Sequence, residues 1–121
     1  MARILVVDDE AAVRDRLEAK LGGAGHDVTP AQDGAAAKDE AAKGTYDAAV
    51  IDCQMPLGGV ELYIELKKRY PGLRLIAMTD LGSSDQVNRE LVPPADTAWA
   101  KDMSEDGIKA LVVMIQDLVG E

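Results

Sequence analysis

The sequence predicts an α/β fold, a single doubly wound parallel sheet of five strands with helices on both faces. Three observations carry this. Short apolar runs such as Ile4-Leu5-Val6-Val7 and Ala48-Ala49-Val50-Ile51 have the look of strands buried on both faces. Stretches of helical periodicity alternate with such runs along the chain. At 121 residues, 47% of them apolar, the chain is the size of one domain with material for a full core.

Each element has its own reason. After the first strand, Ala12, Val13, Leu17 and Leu21 recur at helical spacing, and Gly22-Gly23 supplies a stop. His26 to Ala31 is a weaker strand; Pro30 cannot donate to a ladder, so this strand belongs at a sheet edge. Asp33-Gly34 is a turn signal, and an Ala-rich helix follows to about Lys43. Ala48 to Ile51 is the third strand. A helix from about Gly59 to Tyr70 carries Leu62, Ile64, Leu66 and Tyr70 and ends at Pro71-Gly72.

Leu73 to Met78 is the fourth strand. Ser84 to Leu91 is a poor helix closed by Pro93-Pro94, and Thr97 to Ala100 is a short fifth strand. Ser104 is a good N-cap for the final helix, and Glu105 and Asp106 complement its dipole. Ile108, Leu111, Val112, Ile115, Leu118 and Val119 form its core stripe. Five strand–helix units joined by right-handed crossovers give the parallel sheet.

Composition narrows the function. A formal net charge of −9 repels phosphate backbones and anionic membranes, so direct binding of nucleic acid or lipid is not expected. Cys53 is the single cysteine, which rules out an internal disulfide and suits a reducing compartment. No apolar run approaches the roughly 20 residues that cross a bilayer. The apolar stretch at the N-terminus is short and ends in three acids, unlike a signal peptide. A cytoplasmic protein is expected.

In sheets of this type ligands bind at the carboxyl ends of the strands. The first strand ends in Asp8-Asp9-Glu10, the third in Asp52, the fourth in Thr79-Asp80, and the fifth in Lys101. If the first and third strands are neighbours, Asp8, Asp9 and Asp52 converge. Three carboxylates in one pocket call for a hard cation such as Mg²⁺. A hydroxyl and an ammonium at adjacent strand ends complete a set able to handle a phosphoryl group, with one carboxylate left as nucleophile.

These residues resemble a known family. Ile4 to Glu10 looks like the opening of a response regulator receiver domain of two-component signal transduction. Val50-Ile51-Asp52-Cys53-Gln54-Met55-Pro56 is similar to its acceptor strand and loop. Met78-Thr79, Lys101 and Asp33-Gly34 match its hydroxyl, lysine and turn positions. The resemblance runs through residues 1–121 as one receiver domain and implies a flavodoxin-like sheet of order 2-1-3-4-5. It further implies a signalling switch rather than an enzyme. Asp52 would be the phosphoacceptor, served by a sensor histidine kinase or phosphotransfer protein and read by a downstream protein target. Mg²⁺ would be held by Asp9, Asp52 and the Gln54 backbone carbonyl, with Asp8 acting mainly through water. Thr79 and Lys101 would contact the phosphoryl oxygens.

Four departures touch the readout. The loop between Pro56 and Gly59 is one residue shorter than usual. Asp80 stands where a small neutral residue is usual, and Asp102 stands where the family has proline. Ala98 occupies the place of a switching aromatic, with Trp99 one position later. A rival reading follows from them: a pseudo-receiver that keeps the fold as a phosphorylation-independent interaction module. A nucleotide- or flavin-binding enzyme is disfavoured, because no Gly-rich loop follows the first strand. Cys53 reads as a small buried apolar residue, His26 as structural or solvated, and Trp99 as packing.

Overall fold

The computed structural model describes residues 1–53, Met55, 59–79 and 95–120. Five parallel strands form one sheet of order β2-β1-β3-β4-β5: β1 Arg3–Val7, β2 Asp27–Ala31, β3 Ala48–Asp52, β4 Arg74–Met78 and β5 Thr97–Trp99. Four helices are described: α1 Ala11–Gly23, α2 Gly34–Lys43, α3 Gly59–Arg69 and α4 Glu105–Val119. The helix expected over Ser84 to Leu91 lies outside the described residues.

The apolar runs are continuous because both faces of the sheet are covered while side chains alternate between them. Leu5, Val7, Ala49, Ile51, Leu75 and Ala77 point to one side, where they meet Ala37 and Ala41 of α2 and Leu62, Tyr63 and Leu66 of α3. Ile4, Val6, Ala48, Val50, Ile76, Met78 and Trp99 point to the other, against Val13, Leu17 and Leu21 of α1 and Ile108, Leu111 and Ile115 of α4. Alanine on α2 lets that helix lie close to the sheet. Pro30 sits in β2 opposite Val6, and β2 is an edge strand, where a missing donor faces no further ladder.

The ends of the helices refine the sequence expectations. α1 ends at the Gly22-Gly23 pair, as the sequence suggests. It closes at Ala24, and Gly25 takes the left-handed turn at φ +96°, a conformation that glycine adopts at little cost. Asp33 caps α2 by accepting from the Ala36 amide at 2.8 Å. Ser104 caps α4, its Oγ accepting from the Gly107 amide at 3.1 Å. His26 is buried, with Nδ1 accepting from the Ala2 amide at 3.1 Å, so its role is structural.

Candidate functional site

Register brings the strand ends together. β1 pairs with β3 through Val7 and Ile51, so Asp8, the next residue, emerges beside Asp52. Asp52 in turn pairs with Met78, directly before Thr79, and Met78 pairs with Trp99. The backbone holds these ends tightly: the Asp8 amide donates to Ala31 O at 3.1 Å, Cys53 to Met78 O at 3.0 Å, and Thr79 to Trp99 O at 3.1 Å. Asp8, Asp52 and Thr79 are all buried.

Lys101 is the hub. Its ammonium is 2.9 Å from Asp8 Oδ2, 3.2 Å from Asp52 Oδ2 and 3.6 Å from Glu10 Oε1. Burial raises the Asp8 carboxyl above its ordinary range, assisted by the charge of Asp52 and opposed by Lys101 and the Glu10 amide. Burial pulls the Lys101 ammonium down, yet its hydrogen bond to Asp8 and the charges of Asp52 and Asp8 outweigh that and hold it above its ordinary value. Asp8 also accepts from the Glu10 amide at 2.8 Å, and its carbonyl accepts from Arg14 at 2.8 Å.

Asp8, Asp9 and Glu10 offer one carboxylate oxygen each, all within 4.8 Å of one another, with Asp8 buried and the other two exposed. This all-oxygen, anionic donor set fits a hard divalent cation such as Mg²⁺. Asp52 reaches the group through Lys101. Gln54 lies outside the described residues, as do Asp80 and Pro56. Sequence reasoning placed Glu10 in the acidic run without giving it a role; its position third in that run was the available signal.

The surroundings of Lys101 were not foreseen. Lys101 adopts φ +45°, the one positive value at a non-glycine among the described residues. Trp99 is buried in the core, and its indole Nε1 donates to Gly107 O at 2.9 Å. A side chain on Gly107 would run into the Asp102 carbonyl and carboxylate. A glycine in the first turn of a helix, where better helix formers are usual, was the unread signal. Cys53 is buried beside Asp52, and burial with that neighbouring charge lifts its thiol to about 11, so the neutral, apolar reading holds.

The fold is that of a receiver domain. The chain matches the response regulator receiver domain family model over residues 4–113, and it belongs to that family. Response regulator MprA of Mycobacterium avium is 41% identical over 96% of this chain and 59% of its own length. MprA of Mycobacterium sp. strain KMS is 42% identical over 64% of this chain and 34% of its own length. The chain thus spans about a third to three fifths of the curated relatives it matches. Among solved structures, the Francisella response regulator 1452 receiver domain superposes with a TM-score of 0.86 at 28% identity, covering 99% of this chain and 98% of the other. TrrA of Thermotoga maritima, in complex with Mg²⁺–BeF, superposes with 0.80 at 30% identity, covering 95% and 99%. Among the described residues no helix is long and apolar enough to cross a membrane.

Proposed function

We propose that this receiver domain is a phosphorylation-dependent switch whose acceptor is Asp52. The observation that carries this is the single ammonium of Lys101 set between Asp8 and Asp52, at 2.9 and 3.2 Å. A buried carboxylate beside a cation and a neighbouring acidic cluster is equipped to receive an electrophilic phosphorus. Asp52 attacks that phosphorus; the P–N bond of a donor phosphohistidine breaks, and its electron pair stays on the imidazole. Lys101 then faces the new phosphoryl oxygens, and Thr79, at the adjacent strand end, donates a hydrogen bond to them.

Asp8, Asp9 and Asp52 would hold Mg²⁺, together with the Gln54 carbonyl, and Glu10 stands close enough to assist. When bound, the ion supplies positive charge against the phosphoryl oxygens. Residues 1–121 are read as this one domain. The donor is a sensor histidine kinase or phosphotransfer protein, a downstream protein reads the result, and the setting is cytoplasmic. TrrA, described with Mg²⁺–BeF, supports the metal and the phosphoryl-like ligand by likeness.

The test is labelling with a small phosphodonor in Mg²⁺, with wild type and Asp52→Asn side by side. Label on wild type that is absent from Asp52→Asn is expected. Label persisting on Asp52→Asn would move the acceptor elsewhere, and none on wild type would leave the pseudo-receiver reading.

A further inference from the structure

We propose that Asp102 is a positioning residue for Lys101, holding it in the left-handed backbone conformation that presents its ammonium to Asp8 and Asp52. The inference rests on the reading of Asp52 as acceptor and Lys101 as the cation that serves it.

Lys101 has φ +45°, a conformation an L residue keeps when its surroundings impose it. What imposes it follows directly in the chain. Asp102 Oδ1 accepts from the Ser104 amide at 3.0 Å, closing a tight side-chain turn one residue beyond Lys101. That hydrogen bonding holds the Asp102 carboxyl below the usual carboxylate range. The turn is then seated on α4: the Asp102 carbonyl, Cβ and Cγ occupy the space a side chain on Gly107 would need. Only a glycine lets the turn come this close.

Both flanks are pinned. Upstream, buried Trp99 donates its indole N–H to Gly107 O at 2.9 Å, tying β5 to the same residue on which Asp102 rests. Downstream, Arg16 Nε of α1 donates to Met103 O at 3.0 Å. Lys101 is therefore suspended between Trp99 and Asp102, which both rest on Gly107, with Met103 held by Arg16 just beyond, and Asp102 is the link that bends the chain. Proline at this position would offer neither a carboxylate to the Ser104 amide nor the same seat on Gly107, so in this chain the lysine is aimed by a side-chain hydrogen bond.

The experiment compares wild type, Asp102→Ala, Asp102→Asn, Gly107→Ala, Lys101→Ala and the Asp102→Ala/Lys101→Ala double variant. Initial rates of labelling by acetyl phosphate are measured in Mg²⁺, and thermal unfolding is measured without donor. A misaimed ammonium should slow labelling of Asp102→Ala by between about tenfold and a hundredfold. Asp102→Asn keeps the accepting oxygen and should recover most of the rate. Gly107→Ala, which displaces Asp102 from the other side, should slow labelling in the same way. In the Lys101→Ala background, Asp102→Ala should have no further effect on rate, and the two substitutions should be non-additive in melting temperature.

A wild-type rate for Asp102→Ala would overturn the proposal, as would an equal slowing in the Lys101→Ala background or no recovery with Asp102→Asn. If Asp52→Asn remains labelled, or wild type takes no label, the acceptor reading fails by itself. The melting cycle then decides alone: coupling between Asp102 and Lys101 upholds the positioning, and additivity ends it. Should Asp102→Ala fail to fold, Gly107→Ala and Asp102→Asn carry the comparison.

Discussion

The ammonium of Lys101 lies 2.9 Å from Asp8 Oδ2, with Asp8 fully buried and the lysine side chain only 15% exposed. Such a pair is held by mutual need. Each charge is withdrawn from water, and Asp52 shares the same cation. Removing the ammonium leaves two buried carboxylates facing one another, a costlier arrangement than the pair itself.

We therefore predict that Lys101→Ala lowers stability by about 3 kcal/mol in metal-free buffer. Urea unfolding followed by circular dichroism measures it. A loss under about 1 kcal/mol would place this contact with ordinary surface ion pairs.

Millimolar Mg²⁺ should raise the melting temperature of wild type, because an ion that binds the native site stabilises by mass action, about 2.7 kcal/mol at a hundred times its dissociation constant. Asp9→Ala should lose most of that shift. Glu10→Gln should lose part of it, since Glu10 shares the acidic cluster with Asp8 and Asp9. Equal shifts for wild type and Asp9→Ala would count against the metal assignment.

Gly107→Ala should destabilise the fold, against the usual sense of the change. In a helix interior alanine is favoured over glycine by about 1 kcal/mol. Here the added methyl would collide with the Asp102 backbone and carboxylate, and overpacking costs about 1–3 kcal/mol. A denaturant midpoint below that of wild type is expected; a higher one would mean the Asp102 turn yields freely.

Tyr63 links stability to alkaline pH. Burial first, then the nearby Asp96 and Cys53, raise its phenol from 10.0 to about 12. The native state keeps this proton between pH 10 and 12 while the unfolded chain releases it, so stability is full below pH 10 and falls as pH rises through that window. The loss across the whole window is at most about 3 kcal/mol. Urea midpoints of wild type and Tyr63→Phe at pH 9 and 11 measure it, and the phenylalanine variant should show the smaller decline. Parallel declines would exclude Tyr63 as the source.

Much of the fold was legible in one dimension because burial on both faces of a parallel sheet writes itself as continuous apolar runs, and helices between them repeat their apolar positions at every third or fourth residue. Pro30 marked the edge strand for a local reason, its missing donor, and β2 lies at the edge. Ser104 announced the start of α4 through a contact within its own turn. Asp8, Asp52, Thr79 and Lys101 could be singled out because each ends a strand, and strand ends in such sheets face one side.

What the line of residues did not contain was set by contacts far apart in sequence. The left-handed turn that follows α1 fell on Gly25, beyond the Gly22-Gly23 pair where the helix ends. Glu10 entered the lysine's reach only when the segment after β5 was brought across the end of the sheet toward β1. Asp102 stood out in sequence as a missing proline; its seat on Gly107, the indole of Trp99 on that same residue, and the left-handed turn at Lys101 needed β5 and α4 folded together. Sequence by itself thus determined which residues are strand, helix and candidate acceptor, because local periodicity and strand ends are one-dimensional properties. The tertiary structure alone decided how the lysine is aimed, because that direction comes from packing one backbone against another.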